Sequence, residues 1–247
     1  SEKMNRNQYD GDITTWSPQG RIYQIEYAME AVKQGSTCVG VRSSTHAVLA
    51  TIKRTPGDLA GYQKKIIEID DHMGVAISGL TSDARVLSNY MRNECLSHKY
   101  VYDSSMLVGR LVRRVADKSQ VHTQRYGRRP YGVGLLVIGY DSNGAHLYET
   151  CPSGNYFDYY AQAIGSRSQS SKTYLEKKYK EFESASLDDL VRHALFALRE
   201  STGDKADGMT MENTSIAIVG ENQPFKLIDG EETAQYLSKI DGDAMET

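Results

Sequence analysis

Apolar and polar positions follow two different periods along this chain. Ile22, Ile25, Met29 and Val32 recur at spacings of three and four, which places them on one face of a helix. Ser17-Pro18 supplies a helix start and Gly35 a stop, so the pattern predicts a helix over residues 18–34. Short β-branched runs follow at Thr37–Val41 and Ala47–Ile52 around the polar turn Ser43-Ser44-Thr45, and at Lys65–Ile69 and Met73–Ser78 around Asp70-Asp71. Helical spacing returns over Ser82–Leu96 and Met106–His122. In the second of these Leu107, Leu111, Val112 and Val115 share a face opposite Arg110, Arg113 and Arg114. Further strands are predicted at Val133–Tyr140, Ala145–Thr150 and near Tyr156–Ile164. Helices are predicted at Ser168–Phe182 and Leu187–Glu200, then a hairpin of Thr214–Val219 with Pro224–Ile228, and a short acidic helix.

Blocks of paired strands therefore alternate with blocks of paired helices, the order expected of two packed sheets covered by helices on both sides. The short spacing within each strand pair favours antiparallel hairpins. No linker divides the chain, which predicts one domain over residues 1–247. It comprises a mobile polar tail at 1–12, the helix at 18–34 and a body at 35–240.

Composition narrows the function. With 39% hydrophobic residues the chain can bury a sizeable core, and a net charge of −3 argues against a general polyanion binder. No apolar run approaches the roughly 18 residues that span a membrane, and the first ten residues lack a signal-peptide core. Three scattered cysteines, Cys38, Cys95 and Cys151, read as thiols of a reducing compartment. The six histidines show no metal-ligand spacing, and Glu68, Asp70 and Asp71 read as a solvated turn, so neither metal nor cofactor is expected.

The segment from Tyr9 to Gly35 closely resembles the N-terminal signature of the α-type subunits of the 20S proteasome. Tyr9-Asp10, Thr14, Trp16-Ser17-Pro18, Gly20-Arg21, Gln24, Glu26-Tyr27-Ala28 and Ala31-Val32 carry the match. It continues through residues 35–41, 64–74, 78–87, 129–136 and 163–176. Residues 7–22 and 123–136 look most like the eukaryotic members at the sixth ring position. The resemblance implies an α+β fold, a four-layer αββα sandwich of two antiparallel sheets, as in the N-terminal nucleophile hydrolases. It further implies a stacked hetero-oligomer with other α-type and β-type subunits and regulatory caps on the outer face, in cytoplasm and nucleus.

Catalytic relatives cut peptides with an N-terminal threonine whose free amine is the base. Here the lead-in occupies that place. Ser36 falls at roughly the nucleophile position with its amine in a peptide bond, and the family's catalytic acid aligns approximately with Lys53, which offers no carboxylate. A non-catalytic subunit is therefore expected. The alternative is a self-processing amidohydrolase acting through Ser36. Ser1, a literal N-terminal serine, lies in a polar tail with nothing to orient it.

By resemblance, Tyr9, Asp10, Pro18 and Tyr27 form a cluster that holds N-terminal tails in an open gate. Lys65, with Gly35 and Gly79, forms the pocket that receives the C-terminal carboxylate of activator tails; Lys64 competes for that role. The loop residues Arg125, Tyr126, Arg128, Arg129 and Tyr131 could stack and neutralise RNA. The acidic balance and the absence of a nucleic-acid fold signature favour a subunit interface instead.

Overall fold

The computed structural model describes residues 6–203 and 208–243. Its strands are β1 (Cys38–Arg42), β2 (His46–Ile52), β3 (Ile66–Asp70), β4 (Met73–Gly79), β5 (Val133–Asp141), β6 (Gly144–Thr150), β7 (Tyr156–Asp158), β8 (Ala161–Ile164), β9 (Thr214–Gly220) and β10 (Gln223–Ile228). Its helices are α1 (Tyr23–Gln34), α2 (Thr81–Tyr102), α3 (Val108–His122), α4 (Ser168–Phe182), α5 (Leu187–Thr202) and α6 (Glu231–Asp243). One five-stranded sheet runs β10-β9-β2-β1-β8 and the other β3-β4-β5-β6-β7. Every pairing is antiparallel.

The alternation of side chains along the strands builds the layers. In β1 and β2, Val39, Val41, Val48 and Ala50 turn outward and pack with Leu175, Leu190, Val191, Leu195 and Leu198 of α4 and α5. The intervening Cys38, Ala47 and Leu49 turn inward to meet Ala76, Leu136 and Ile138 of the other sheet. Val75, Ile77, Leu135 and Val137 leave that second sheet on its far face, against Leu87 and Met91 of α2 and Leu111 and Val115 of α3. The order is helices, sheet, sheet, helices. This is the expected αββα sandwich, and its strands run through both cores.

Three elements depart from the sequence reading. The first helix begins at Tyr23, not at residue 18, and its N-cap is Ile22 without a side-chain bond. Ser17 closes a separate turn: its Oγ accepts from the Arg21 amide at 3.0 Å, and Gly20 at φ +75° takes a conformation that a helix cannot continue through. Second, the run near Tyr156–Ile164 is two strands in different sheets. β7 pairs with β6 and β8 pairs with β1, so the chain crosses between layers at Tyr159-Tyr160. Third, α2 continues to Tyr102, past the predicted end at Leu96, as an exposed extension where burial gives no periodic signal.

No described helix is long and apolar enough to cross a membrane. Cys38 and Cys95 are buried free thiols and Cys151 is half-buried. Burial pushes all three up to about 12.

Candidate functional site

The first strand enters the sandwich through Gly35, Ser36 and Thr37, and this junction is held from several sides. The Gly35 carbonyl accepts from the Ser166 amide at 2.7 Å. The Thr37 hydroxyl donates to the Ser166 carbonyl at 2.5 Å. Ser78 Oγ, on β4, donates to the Val32 carbonyl in the last turn of α1 at 2.8 Å and also reaches the Ser36 carbonyl at 3.3 Å. Arg54 donates to the Gln34 carbonyl at 3.3 Å and to Ser166 Oγ at 2.7 Å. Gly35 is required here by space: a Cβ would overlap Ser78 Oγ and stand 2.5 Å from the Gly79 amide nitrogen.

Helix α1 lies over this junction. Its buried residues are Tyr23 and Ala28. The predicted stripe of Ile22, Ile25, Met29 and Val32 is only partly inside, with Met29 41% exposed. Val32 and Ile164 both stand over Gly134, and Ala31 stands with Leu80 over Gly132. Ile164 belongs to one sheet and Gly134 to the other, so the end of α1 closes the sandwich where the two sheets meet.

Ser36 sits under this cover. It is 2% exposed, and its Oγ is buried without a hydrogen-bond partner among the described residues. In this chain its nitrogen forms the peptide bond to Gly35, whereas an N-terminal nucleophile uses a free amine as its base. Lys53, expected at the position of the catalytic acid, is buried and pairs with Asp229 Oδ1 at 2.5 Å. Asp229 also accepts from Ser215 Oγ at 3.1 Å. The ammonium is thereby committed to a structural ion pair.

Lys65 and Lys64 are told apart by burial. Lys64 is exposed, whereas Lys65 is 5% exposed and has no hydrogen-bond or ion-pair partner for its ammonium among the described residues. Burial lowers its pKa, only partly opposed by the Cys38 thiol. The Lys65 carbonyl accepts from the Ile77 amide at 3.0 Å, two residues before Gly79, and Gly79 packs on Gly35. The three expected pocket residues are thus gathered at one end of the molecule.

Of the four residues expected to form the tail cluster, two are joined. The Tyr27 hydroxyl donates to Asp10 Oδ2 at 2.8 Å. Gln24 Nε2 donates to the Asp10 carbonyl. Tyr9 is half-buried and fixed through its amide, which donates to the Arg6 carbonyl at 3.0 Å, while Pro18 is exposed on the turn after Ser17. Arg6 and Gln24 complete the cluster. Gln24 is one of the signature positions. Arg6 is signalled in sequence only by the i,i+4 pair Tyr23 and Tyr27, which offers a cation two ring faces. Of the tail at residues 1–12, residues 1–5 lie outside the described residues, and residues 6–12 run against α1.

The basic loop divides. Arg129 forms a two-pronged pair with the buried carboxylate of Asp83, at 2.6 and 2.8 Å, and Asp83 also accepts from the Gly132 amide at 2.9 Å. Tyr131 is buried against the His122 ring, with centroids 4.5 Å apart. Arg125, Tyr126 and Arg128 are exposed. Asp83, in the first turn of α2, anchors the loop through the Arg129 guanidinium, which itself stays largely exposed.

Residues 9–31 match the N-terminal signature of A-type proteasome subunits, and residues 32–219 match the proteasome subunit family. The chain is an α-type member of the proteasome family. It is 60% identical to the alpha type-1 proteasome subunit of Dictyostelium discoideum, over 97% of each chain. It is 53% identical to a probable alpha type-6 proteasome subunit of Schizosaccharomyces pombe, covering 96% of this chain and 87% of the relative. It is 51% identical to the alpha type-6 proteasome subunit of Saccharomyces cerevisiae, covering 95% and 100% respectively. The boundary between the two family matches falls inside α1, so the signature ends where the helix meets the sandwich. In this family α-type subunits form the non-catalytic outer ring of the 20S core. A covered Ser36 and a Lys53 engaged by Asp229 accord with that position.

Proposed function

We propose that this chain is a non-catalytic structural and gating subunit of the α ring of the 20S proteasome core. It contributes to ubiquitin-dependent and other proteasomal degradation through ring assembly, control of substrate admission and docking of regulatory caps. One observation carries the reading. Ser36 lies in an unbroken chain beneath α1, clamped by Ser78 and Ser166, so the lead-in that a catalytic relative would discard is built into the body.

Two finer readings accompany it. Asp10 and Tyr27, with Tyr9 and Pro18 nearby, hold the tail in a defined conformation at the ring entrance. Lys65, flanked by Gly35 and Gly79, receives the C-terminal carboxylate of a cap's tail; a largely buried lysine with no counter-charge among the described residues supports this, because an incoming carboxylate would supply one. The stretches 7–22 and 123–136 support the sixth ring position, and α-ring membership supports residence in cytoplasm and nucleus.

Native purification with identification of co-purifying chains tests the assignment. Co-purification with other α-type and β-type subunits is expected, and the mass of the mature chain should still include the lead-in. A chain beginning at Ser36 with peptidase activity would overturn it in favour of the self-processing hydrolase. Deleting residues 1–12 in the assembled particle should raise basal peptide hydrolysis or leave it unchanged; a loss with assembly intact would reject the gating component.

A further inference from the structure

We infer that Arg6 is a latch that seats the N-terminal tail on the signature helix of its own subunit. Its guanidinium carbon lies 5.1 Å from the centre of the Tyr23 ring and 4.9 Å from that of Tyr27. The two rings are 6.5 Å apart and inclined by 22°, so one cation lies about equally near both. Arg6 Nε also donates to the Tyr27 hydroxyl at 3.0 Å, and that hydroxyl in turn donates to Asp10 at 2.8 Å. Its carbonyl accepts from the Tyr9 amide, which turns the chain back toward α1. Arg6 is thus engaged through its charge, its Nε and its backbone.

The residues around it favour this seat. Asn7 and Gln8 are exposed. Arg21, fixed to Glu26 by two hydrogen bonds of 2.7 Å, lies 5.0 Å from the Tyr23 ring and holds that ring in place. Each contact of Arg6 is exposed to solvent and weak alone, while together they fix the tail's path, the balance a reversible latch needs. Lysine could bring a charge near the rings but has no Nε along its stem, so it could not keep its charge beside both rings and bond the Tyr27 hydroxyl as Arg6 does.

The inference rests on the reading of the tail as a gate only for its consequence, not for the latch itself, and two readouts separate them. In assembled particles carrying Arg6→Ala or Arg6→Lys, hydrogen exchange of amides 9–12 should accelerate about tenfold for alanine and by nearly as much for lysine. Exchange within residues 28–34 of α1 should not change. Unchanged exchange at 9–12 in Arg6→Ala, or full retention by Arg6→Lys, would overturn the latch. Basal peptide hydrolysis should fall in Arg6→Ala as the exchange rises, because the latch shares the Tyr27–Asp10 contact that is read as holding the tail in an open gate. Faster exchange without any change in hydrolysis would leave the latch standing and separate it from the gate, whereas a loss of hydrolysis on deletion of residues 1–12 with assembly intact would reject the gate and leave the latch untouched.

Discussion

The hydroxyl of Tyr27 on α1 donates to the carboxylate of Asp10 at 2.8 Å, across 17 residues of sequence, and so ties the lead-in to the helix that follows it. Tyr27→Phe keeps the ring under Arg6 but removes the donor to Asp10 and the acceptor for Arg6. We expect the docked lead-in to lose about 1 kcal/mol, a typical net hydrogen-bond contribution. Hydrogen exchange over residues 9–12 checks this; no acceleration would show that the ring contacts alone hold the segment.

Lys65 presents a conflict between stability and function. Its burial, with no counter-charge among the described residues, costs the free subunit, so Lys65→Met should leave thermal stability unchanged or raise it. The same substitution should weaken a cap that inserts a C-terminal carboxylate here by roughly 10- to 100-fold, the range for a lost charge-assisted bond. Cap affinity measured on wild-type and variant particles decides it, and unchanged affinity would remove Lys65 from the pocket. The pKa of Lys65 is lowered by burial, so binding should weaken as pH rises through that depressed value, earlier than for an ordinary lysine.

Asp83 predicts an acid-side effect. The hydrogen bonds from Arg129, outweighing burial and aided by the Gly132 amide, hold its carboxyl below the usual 3.8. A carboxyl lowered on folding contributes stability above its unfolded value, and that contribution is lost as pH falls through the folded one. The loss should therefore begin near pH 4 and deepen below it. Because Arg129 is 62% exposed, the pair should be worth only about 1 to 2 kcal/mol. Asp83→Asn should cost that much at neutral pH and flatten the acid limb in urea unfolding followed from pH 6 to pH 3. A parallel shift of the whole curve would count against this assignment.

Lys53 and Asp229 should show strong coupling. Removing the lysine alone strands a partly buried carboxylate that Ser215 and the Gly230 amide satisfy only in part. Lys53→Met should cost about 2 to 3 kcal/mol, below the range for fully buried pairs because Asp229 is 33% exposed. Adding Asp229→Asn should restore much of the loss. A double-mutant cycle on denaturant unfolding reads the coupling, and additive effects would mean that the pair is incidental.

Gly35→Ala should damage the junction through crowding, since the backbone angles there (φ −64°, ψ 162°) suit any residue. The added carbon would displace Ser78 Oγ from its bond to Val32. A cost of about 1 to 3 kcal/mol is expected, as for other overpacked sites. Calorimetry of the folded variant checks it.

The layer order and nearly all strands are legible in sequence because two-residue alternation and turn residues are local signals. Residues that sheets bury on both faces, such as Val39 beside Cys38, also keep a continuous apolar run. The start of α1 is not legible, because Ser17-Pro18 has the chemistry of a helix cap, while Gly20, three residues on, stops the turn from propagating. The pairing of Arg129 with Asp83 is hidden as well: the two lie 46 residues apart in sequence, and both look like surface charges in isolation. Lys65 and Lys64 are identical in local chemistry, and only the placement of β3 buries one of them. Arg6 escapes notice because a polar tail carries no periodicity, although its receptor, Tyr23 and Tyr27, is in view.

Helix α1 also imposes an order on the making of the molecule. It is 12 residues long, too short to hold itself together in water, and its fastenings come later: Ser78 is 46 residues beyond Val32, and Ser166 follows Thr37 by 129. On the ribosome the signature segment therefore emerges before the residues that fix it. A ring neighbour that reads this segment would read it in finished form only after both sheets have closed, so a half-built chain would present no completed surface for assembly.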